Sequence, residues 1–151
     1  MGHFPSGVTV VTTALDEELA GITVNSFTSL SLDPTLVLVC IDRYANSHDM
    51  IAAAGIYAIN MLREDQAHLS QRFAMHNADK FTPASYLLSD HGLPILDNVL
   101  ATLECKVVSA LPGGDHTIYI GEVFHATCTT GKPLLYFRSG YHQLGPTANK
   151  Q

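Results

Sequence analysis

Charged residues are scarce in this sequence, and tryptophan is missing altogether. Only 15% of the 151 residues are charged, and 14 acidic residues against 8 basic ones give a formal net charge of −6. The few cations are scattered, so there is no basic face of the kind that nucleic acids or anionic membranes attract. No run of about 18 apolar residues is present either, so no membrane-spanning helix is expected.

Cysteine is also sparse, and its pattern is not that of a disulfide or metal framework. Cys40, Cys105 and Cys128 form no Cys-x-x-Cys pair, and each lies in an apolar, strand-like segment. We therefore expect three buried free thiols in a reducing compartment. The residues after Met1 show no basic segment followed by an apolar one, so no secretory signal is expected and the cytoplasm is the predicted location.

What the sequence does have is enough apolar residues for a core. Apolar residues make up 46% of the chain, which excludes disorder as the main state. The length is that of one domain, so we predict a single domain over residues 1–151.

Apolar and β-branched segments predict a protein made mainly of strands. The predicted strands are residues 7–13, 22–24, 36–41, 56–62, 100–110, 117–129 and 133–138. One short helix is predicted from Asn46, as its N-cap, to Gly55, and a second over residues 65–74 with Leu69 and Phe73 on its apolar face. Residues 75–98 are predicted to have little regular structure.

The order of these elements favours an antiparallel arrangement. Strands and helices do not alternate, which argues against a doubly wound parallel sheet. Residues Pro112-Gly113-Gly114-Asp115 are typical of a hairpin turn between two long strands. An antiparallel barrel or sandwich is therefore predicted.

Common catalytic motifs are absent. The sequence contains no His-x-His, no His-Glu-x-x-His and no Cys/His quartet, so no metal site is predicted despite eight histidines. It also lacks Gly-x-Ser-x-Gly, Gly-x-Gly-x-x-Gly and the P-loop pattern. If the protein is an enzyme, a cofactor would carry the chemistry.

Two polar segments are candidates for holding such a cofactor. Thr23 to Ser31 contains five hydroxyl side chains and one Asn, which can donate to a phosphate or to a heterocycle. Arg43 to Ser47 ends a strand and opens a helix, where backbone N–H groups attract anions. An ordinary Ser/Thr-rich connection and a helix start with a solvated Arg explain the same two patterns.

Two residues beyond these segments are weaker candidates. His116 follows the Gly-Gly turn and is either an exposed turn histidine or a polar group at the rim of a pocket. Tyr141 follows the last predicted strand and is either a packed aromatic or a ring that stacks on a planar ligand.

Taken in order, several segments resemble the flavin reductase-like family, the small reductases of two-component flavin monooxygenases. The matching segments are Phe4 to Thr12, Gly21 to Pro34, Leu69-Ser70, Phe73-Ala74, Gly114-Asp115-His116, Ile120 to Val123, Pro133 to Phe137 and Gly140-Tyr141-His142. Relatives usually carry a further helical segment ahead of this pattern, whereas here Met1 directly precedes Gly2-His3-Phe4.

The resemblance implies a Greek-key split β-barrel with a few short flanking helices, normally a homodimer. It also implies an enzyme that uses NADH or NADPH to reduce FMN or FAD and supplies the reduced flavin to a partner monooxygenase. The residues that match the family's flavin site are Thr23, Val24, Asn25, Ser26, Phe27, Ser29, Leu30, Arg43, Ala45, Asn46, Ser47, Phe73 and Ala74. His116 and Tyr141 match the positions associated with the nicotinamide nucleotide.

Two alternatives keep the same fold. One is a flavin-dependent oxidase similar to pyridoxamine-phosphate oxidase, and the other is a flavin-binding electron carrier without free-flavin turnover. The sequence leaves the choice of flavin and of nicotinamide nucleotide open, because neither an adenine motif nor a 2′-phosphate site is recognisable.

Overall fold

The computed structural model describes residues 2–76 and 79–147. In this part of the chain, strands far outweigh the two helices, as predicted. The elements are β1 (Ser6–Gly7), β2 (Thr9–Leu15), β3 (Glu18–Val24), β4 (Thr28–Leu32), β5 (Thr35–Asp42), α1 (Asn46–Ala54), β6 (Ile56–Met61), α2 (Ala67–Ala74), β7 (Tyr86–Leu88), β8 (Pro94–Leu96), β9 (Ala101–Gly113), β10 (His116–Cys128), β11 (Leu134–Phe137) and β12 (Gly140–Gln143).

The largest sheet has seven antiparallel strands in the order β3-β2-β6-β9-β10-β5-β4. Its centre is the long β9–β10 hairpin, which turns at Gly114 with a φ of 75°. Glycine adopts this left-handed conformation without a steric cost, which is why the Gly-Gly pair predicted the turn correctly. Strands β1, β11 and β12 form a second sheet, and β7 pairs with β8.

The seven-stranded sheet curls round a single apolar interior. Val11 of β2 and Val39 of β5 belong to the same buried cluster, together with Tyr57 of β6 and Tyr119 of β10. Because β2 and β5 lie near opposite edges of the sheet, their side chains meet only if the sheet bends towards closure. The architecture is the predicted split β-barrel.

A second buried cluster joins the barrel to the elements outside it. Val10 points to the opposite face of β2 from Val11, since side chains alternate along a strand. It packs with Leu69 and Phe73 of α2 and with Leu134 of β11. This confirms the predicted apolar face of α2, and it fixes the C-terminal end of that helix beside β3.

The predicted C-terminal end of α1 is confirmed, whereas its predicted N-cap is wrong. Gly55 ends α1 in the left-handed region with a φ of 69°, as predicted. The predicted N-cap role of Asn46 is wrong, because Asn46 is the first helical residue and Ala45, which has no capping side chain, precedes it. Within the described residues, neither helix is long and apolar enough to cross a membrane.

Several short strands were not predicted, among them β4 and β12. Strands β4 and β12 are short and mostly exposed, so they lack the apolar pattern that marks a buried strand. They form because β5 and β11 offer free hydrogen-bonding edges to them. The predicted irregular region contains only the short β7–β8 pair, and its residues 77–78 lie outside the described part of the chain.

The prediction of three buried thiols is confirmed for Cys105, holds only in part for Cys40 and is wrong for Cys128. Cys105 is buried, Cys40 is half-buried and Cys128 is exposed, and all three are free. Cys128 is the last residue of β10 and pairs with Ala101 at the end of the hairpin, beyond the closed part of the barrel. An apolar strand pattern therefore does not guarantee burial at a strand end.

Candidate functional site

Three adjoining cavities form a groove along β3. Cavity A, of about 570 Å³, lies between β3, the start of α1 and the end of α2. Cavity B, of about 200 Å³, is lined by residues such as Thr23, Ser70 and Tyr141. Cavity C, of about 480 Å³, lies beyond it, between Ser6, Phe27 and Leu134. Ala74 lines both A and B, and Asn25 lines both B and C, so each cavity adjoins the next.

Cavity A contains the predicted residues of the two helix ends. Its walls include Ala45, Asn46, Ser47, Phe73 and Ala74. These residues come from segments far apart in the sequence, and the packing of both helices against β3 brings them together. Gly21 of β3 also lines the cavity, and a side chain there would collide with the ring of Phe73.

Cavity B holds part of the predicted hydroxyl-rich segment, and its side chains are fixed by hydrogen bonds. Thr23 Oγ1 donates to the Ser70 carbonyl at 2.7 Å, and the Tyr141 hydroxyl donates to Ser70 Oγ at 2.8 Å. Ser70 is only 1% exposed. Because it accepts both hydrogen bonds, it ties β3 and β12 to α2. Val24 and Asn25 also line this cavity.

The β3–β4 connection continues into cavity C. Asn25, Ser26 and Phe27 line it. Ser26 Oγ donates to the Cys40 carbonyl at 3.0 Å and accepts from the Cys40 N–H at the same distance. This paired contact holds the connection against β5, while Phe27 packs against the barrel interior. The segment is therefore a fixed wall of the groove.

Four predicted site residues line none of these three cavities. Ser29 and Leu30 are exposed on β4, beside the bulge in its pairing with β5. Arg43 and His116 lie together on the rim beside α1, where the Arg43 N–H donates to the Asp115 carbonyl at 3.0 Å. His116 Nδ1 lies 2.7 Å from Asp115 Oδ1, and this hydrogen bond lowers the pKa of the Asp115 carboxyl.

The structure adds three residues that the sequence analysis missed. Ser70 and Tyr136 line cavity B, and Lys80 lines cavity A. Ser70 could have been found, because it lies one helical turn before Phe73 and so on the same face of α2. Lys80 lies in the region predicted to be irregular, and no local pattern places it near β3.

The residues of the groove fit the expected flavin. Ser47 lines cavity A and is 3% exposed, and its buried Oγ has no hydrogen-bond partner among the described atoms. An unpaired buried hydroxyl calls for an accepting group such as a phosphate oxygen. Tyr136 and Tyr141 in cavity B offer aromatic surface for a planar ring. In the described residues, no group of three or more His, Cys, Asp or Glu side chains could hold a metal ion.

Comparison with known proteins shows which proteins the chain is similar to. The chain is 43% identical over 149 residues to the reductase component of 4-nitrophenol 4-monooxygenase/4-nitrocatechol 2-monooxygenase from Rhodococcus opacus, covering 99% of this chain and 80% of that one. It is 37% identical over 155 residues to an NADH-dependent FAD reductase from Streptomyces globisporus, covering 99% and 85%.

Solved structures agree in fold over almost the whole chain. Component B of nitrilotriacetate monooxygenase from Mycobacterium thermoresistibile superposes with a TM-score of 0.93 at 37% identity, covering 99% of this chain and 86% of that one. The NADH:FAD oxidoreductase of Streptomyces globisporus, solved in complex with NAD and FAD fragments, also has a TM-score of 0.93 at 37% identity, covering 98% and 90%. The profile of the flavin reductase like domain matches residues 1–145. This chain therefore belongs to the flavin reductase like domain family.

Proposed function

We propose that this protein is an NADH-dependent flavin reductase that supplies reduced FMN or FAD to a partner monooxygenase. The observation that carries the proposal is the pair of adjoining cavities A and B, where β3, α1 and α2 bring hydroxyl, amide and aromatic groups together. The named relatives include an NADH-dependent FAD reductase and an FMN reductase that uses NADH, which favours NADH over NADPH.

The residues of the groove divide by the part of the flavin that they suit. Ser47 and Asn46, at the start of α1, would hold the phosphate, because N–H groups and the helix dipole favour an anion there. Thr23, Val24 and Asn25 would face the ring and its polar edge in cavity B. Ser26, Phe27, Ser29 and Leu30 complete the segment that would support the ring from the side of β4, and Arg43 and Ala45 flank the phosphate end.

The protein's contribution to catalysis is positioning. Bound flavin supplies the two-electron redox chemistry, since a hydride from the nicotinamide nucleotide reduces it. Ser70 holds Thr23 and Tyr141 in fixed orientations, and the Cys40 backbone holds Ser26. Groups that are already oriented do not need to reorganise when charge develops on the ring. The small side chain of Ala74, which lines both cavities A and B, would leave room for the ring.

His116 and Tyr141 would act on the nicotinamide nucleotide. His116 is half-buried on the rim beside α1, and its Nδ1 is engaged by Asp115. A group that binds the nucleotide without transferring a proton contributes to affinity more than to the chemical step. Replacing His116 by Ala should therefore raise the KM for NADH more than it lowers kcat, while His68→Ala, an exposed change on α2, should alter neither.

The decisive experiment is anaerobic reduction of flavin. Excess FMN or FAD is mixed with the protein, NADH is added, and the visible flavin absorbance is followed. Loss of absorbance at a rate proportional to protein concentration is the expected result, with NADPH reacting more slowly. Flavin that binds but is not reduced would replace this proposal by the oxidase or electron-carrier alternative. A larger loss in kcat than rise in KM for His116→Ala would overturn the role of that residue.

The homodimer and the cytoplasmic location belong to the same proposal. Strand β4 is an edge of the main sheet, and it exposes Leu30 and Leu32, which favours pairing with a second copy. The partner monooxygenase would receive reduced flavin by diffusion or contact.

The three free cysteines are typical of a reducing compartment, where the nicotinamide nucleotide is also available. Cell fractionation tests the location, and the mass in solution tests the dimer.

A further inference from the structure

The contacts of His48 join α1 to the start of β10, and the proposed function gives this residue no role. His48 Nε2 lies 2.8 Å from Thr117 Oγ1, and His48 Nδ1 lies 2.8 Å from Oδ1 of the exposed Asp49. An ionised carboxylate only accepts hydrogen bonds, so Nδ1 donates to Asp49, and the Thr117 hydroxyl can donate to Nε2. Both nitrogens of the ring are therefore engaged, which fixes its orientation.

A second residue of β10 holds the same point of α1. The Tyr119 hydroxyl donates to the His48 carbonyl at 3.1 Å, and the two rings pack in a T-shaped arrangement with their centroids 5.7 Å apart. Tyr119 is 2% exposed, and the side chain of His48 is 16% exposed. Because water is largely excluded from this contact, its hydrogen bonds are stronger than those of an exposed pair. The start of α1 is therefore firmly attached to β10.

His48 and Arg43 together attach a short segment of the chain to both sides of His116. The Arg43 N–H donates to the Asp115 carbonyl at 3.0 Å, on the N-terminal side of His116. His48 contacts Thr117, on its C-terminal side. The residues between these two attachment points include the pair that would hold the flavin phosphate. The segment assigned to the flavin and the histidine assigned to the nicotinamide nucleotide are therefore parts of one hydrogen-bonded unit.

We infer that His48 is a positioning residue, which through Thr117 sets the distance between the flavin at the start of α1 and the nicotinamide nucleotide at His116. The inference rests on the proposed function and extends it to how the two ligands are held in register. Hydride transfer needs reacting atoms about 3–3.5 Å apart, and a misplacement of about 1 Å can lower the rate about 100-fold. His48 lines none of the three cavities. Its loss should therefore slow the transfer and leave the affinity for each ligand nearly unchanged.

The test measures binding and hydride transfer separately in the complete protein. Thr117→Val removes the hydroxyl and keeps the shape, and His48→Phe removes both ring nitrogens and keeps a ring. Fluorescence quenching gives the Kd for FMN and calorimetry gives that for NAD⁺, and each should change by less than about twofold. The rate of hydride transfer from NADH to bound FMN, followed anaerobically by stopped flow, should fall about 5- to 50-fold in both variants.

A spectroscopic readout separates positioning from a merely structural role without turnover. Reduced FMN stacked on NAD⁺ gives a long-wavelength charge-transfer absorbance, whose strength reports how closely the two rings lie. At concentrations that saturate both sites, this absorbance should be weaker in Thr117→Val and His48→Phe than in the wild type. His48→Gln, which places an amide near the position of Nε2, should restore the absorbance and most of the rate.

Thr127→Val is the matched control, because it removes another β10 hydroxyl, one that lies 2.6 Å from Thr102 Oγ1 near the other end of the strand. It should alter neither the rate nor the absorbance. Wild-type rates in Thr117→Val, an equal loss in the control, or a loss of affinity as large as the loss of rate would overturn the inference. Should His48→Phe fail to fold, Thr117→Val still decides. A wild-type protein that binds FMN but is not reduced by NADH would instead refute the proposed function, and this inference with it.

Discussion

Cys105 and Tyr57 show how strongly burial affects the chemistry of a side chain in this barrel. Both are 0% exposed, and the Tyr57 hydroxyl fills the space where a side chain on Gly121 would otherwise lie. Burial raises the pKa of the Cys105 thiol to about 12 and also raises the pKa of Tyr57. Neither group is ionised near neutral pH, so both serve as packing residues rather than as nucleophiles.

The cysteines should therefore differ sharply in reactivity. Because the thiolate is the reactive form, Cys105 should stay unlabelled by a thiol reagent from pH 7 to pH 9, well below its raised pKa, and react only on unfolding. Exposed Cys128 should react quickly in the native protein, and half-buried Cys40 more slowly. The number and rate of thiols labelled with a chromogenic disulfide give the result. A fast phase that survives in Cys128→Ser would contradict this assignment.

At the scale of elements, Asn60 is the centre of a buried network that helps to hold the β7–β8 region to the barrel. Asn60 of β6 is 0% exposed, and its amide donates to the Val10 carbonyl and to Thr12 Oγ1, both at 3.0 Å. Its Oδ1 accepts from the Leu96 N–H of β8 at 2.9 Å. A short strand pair cannot be stable by itself. This contact, the hydrogen bond from Thr12 Oγ1 to the Pro94 carbonyl at 2.6 Å and the burial of Leu96 all contribute to its order.

Replacing Asn60 by Ala should destabilise the protein by about 3 kcal/mol, because buried N–H and C=O groups lose their partners. Urea denaturation measures the free energy of unfolding. Gln71→Ala, an exposed change on α2, is the control and should alter it by less than about 0.5 kcal/mol. A loss for Asn60→Ala no greater than that of the control would mean that the β7–β8 region is held by other contacts.

At the scale of the whole molecule, the exposed apolar side chains are unevenly spread. Leu32 on the β4 edge is 87% exposed, and Leu87 on the β7–β8 pair is 75% exposed. Only the first belongs to an edge of the seven-stranded sheet, where unpaired backbone groups and apolar side chains coincide. The two leucines therefore provide a matched test of where a second copy would bind.

The wild-type protein should have twice the chain mass of 16.3 kDa in solution, as measured by light scattering after size exclusion. Leu32→Lys should shift the dimer towards monomer, because a charge would be buried at the pairing edge. Leu87→Lys should leave the mass unchanged. A monomeric wild type, or dissociation by Leu87→Lys but not by Leu32→Lys, would show that β4 is not the dimer edge.

Much of this protein was determined by its sequence alone, because the relevant signals are local. Apolar and β-branched runs specified the long strands, the Gly-Gly pair specified the β9–β10 turn, and the spacing of Leu69 and Phe73 specified the buried face of α2. The hydroxyl-rich segment after Thr23 and the start of α1 were recognisable as candidate site residues for the same reason. Short, exposed strands such as β4 were missed, because their partners and not their own composition cause them to form.

Only the tertiary structure decided which of these groups meet. The bending of the sheet and the docking of α2 place Ser70 between Thr23 and Tyr141, and bring Lys80 to the carbonyls of Gly21 and Phe73. These contacts join residues that are distant in the chain, so no periodicity or motif encodes them. Whether a strand residue such as Cys128 is covered depends on the same packing. The sequence thus determined the elements and the donors, and the folded barrel determined the groove that they form.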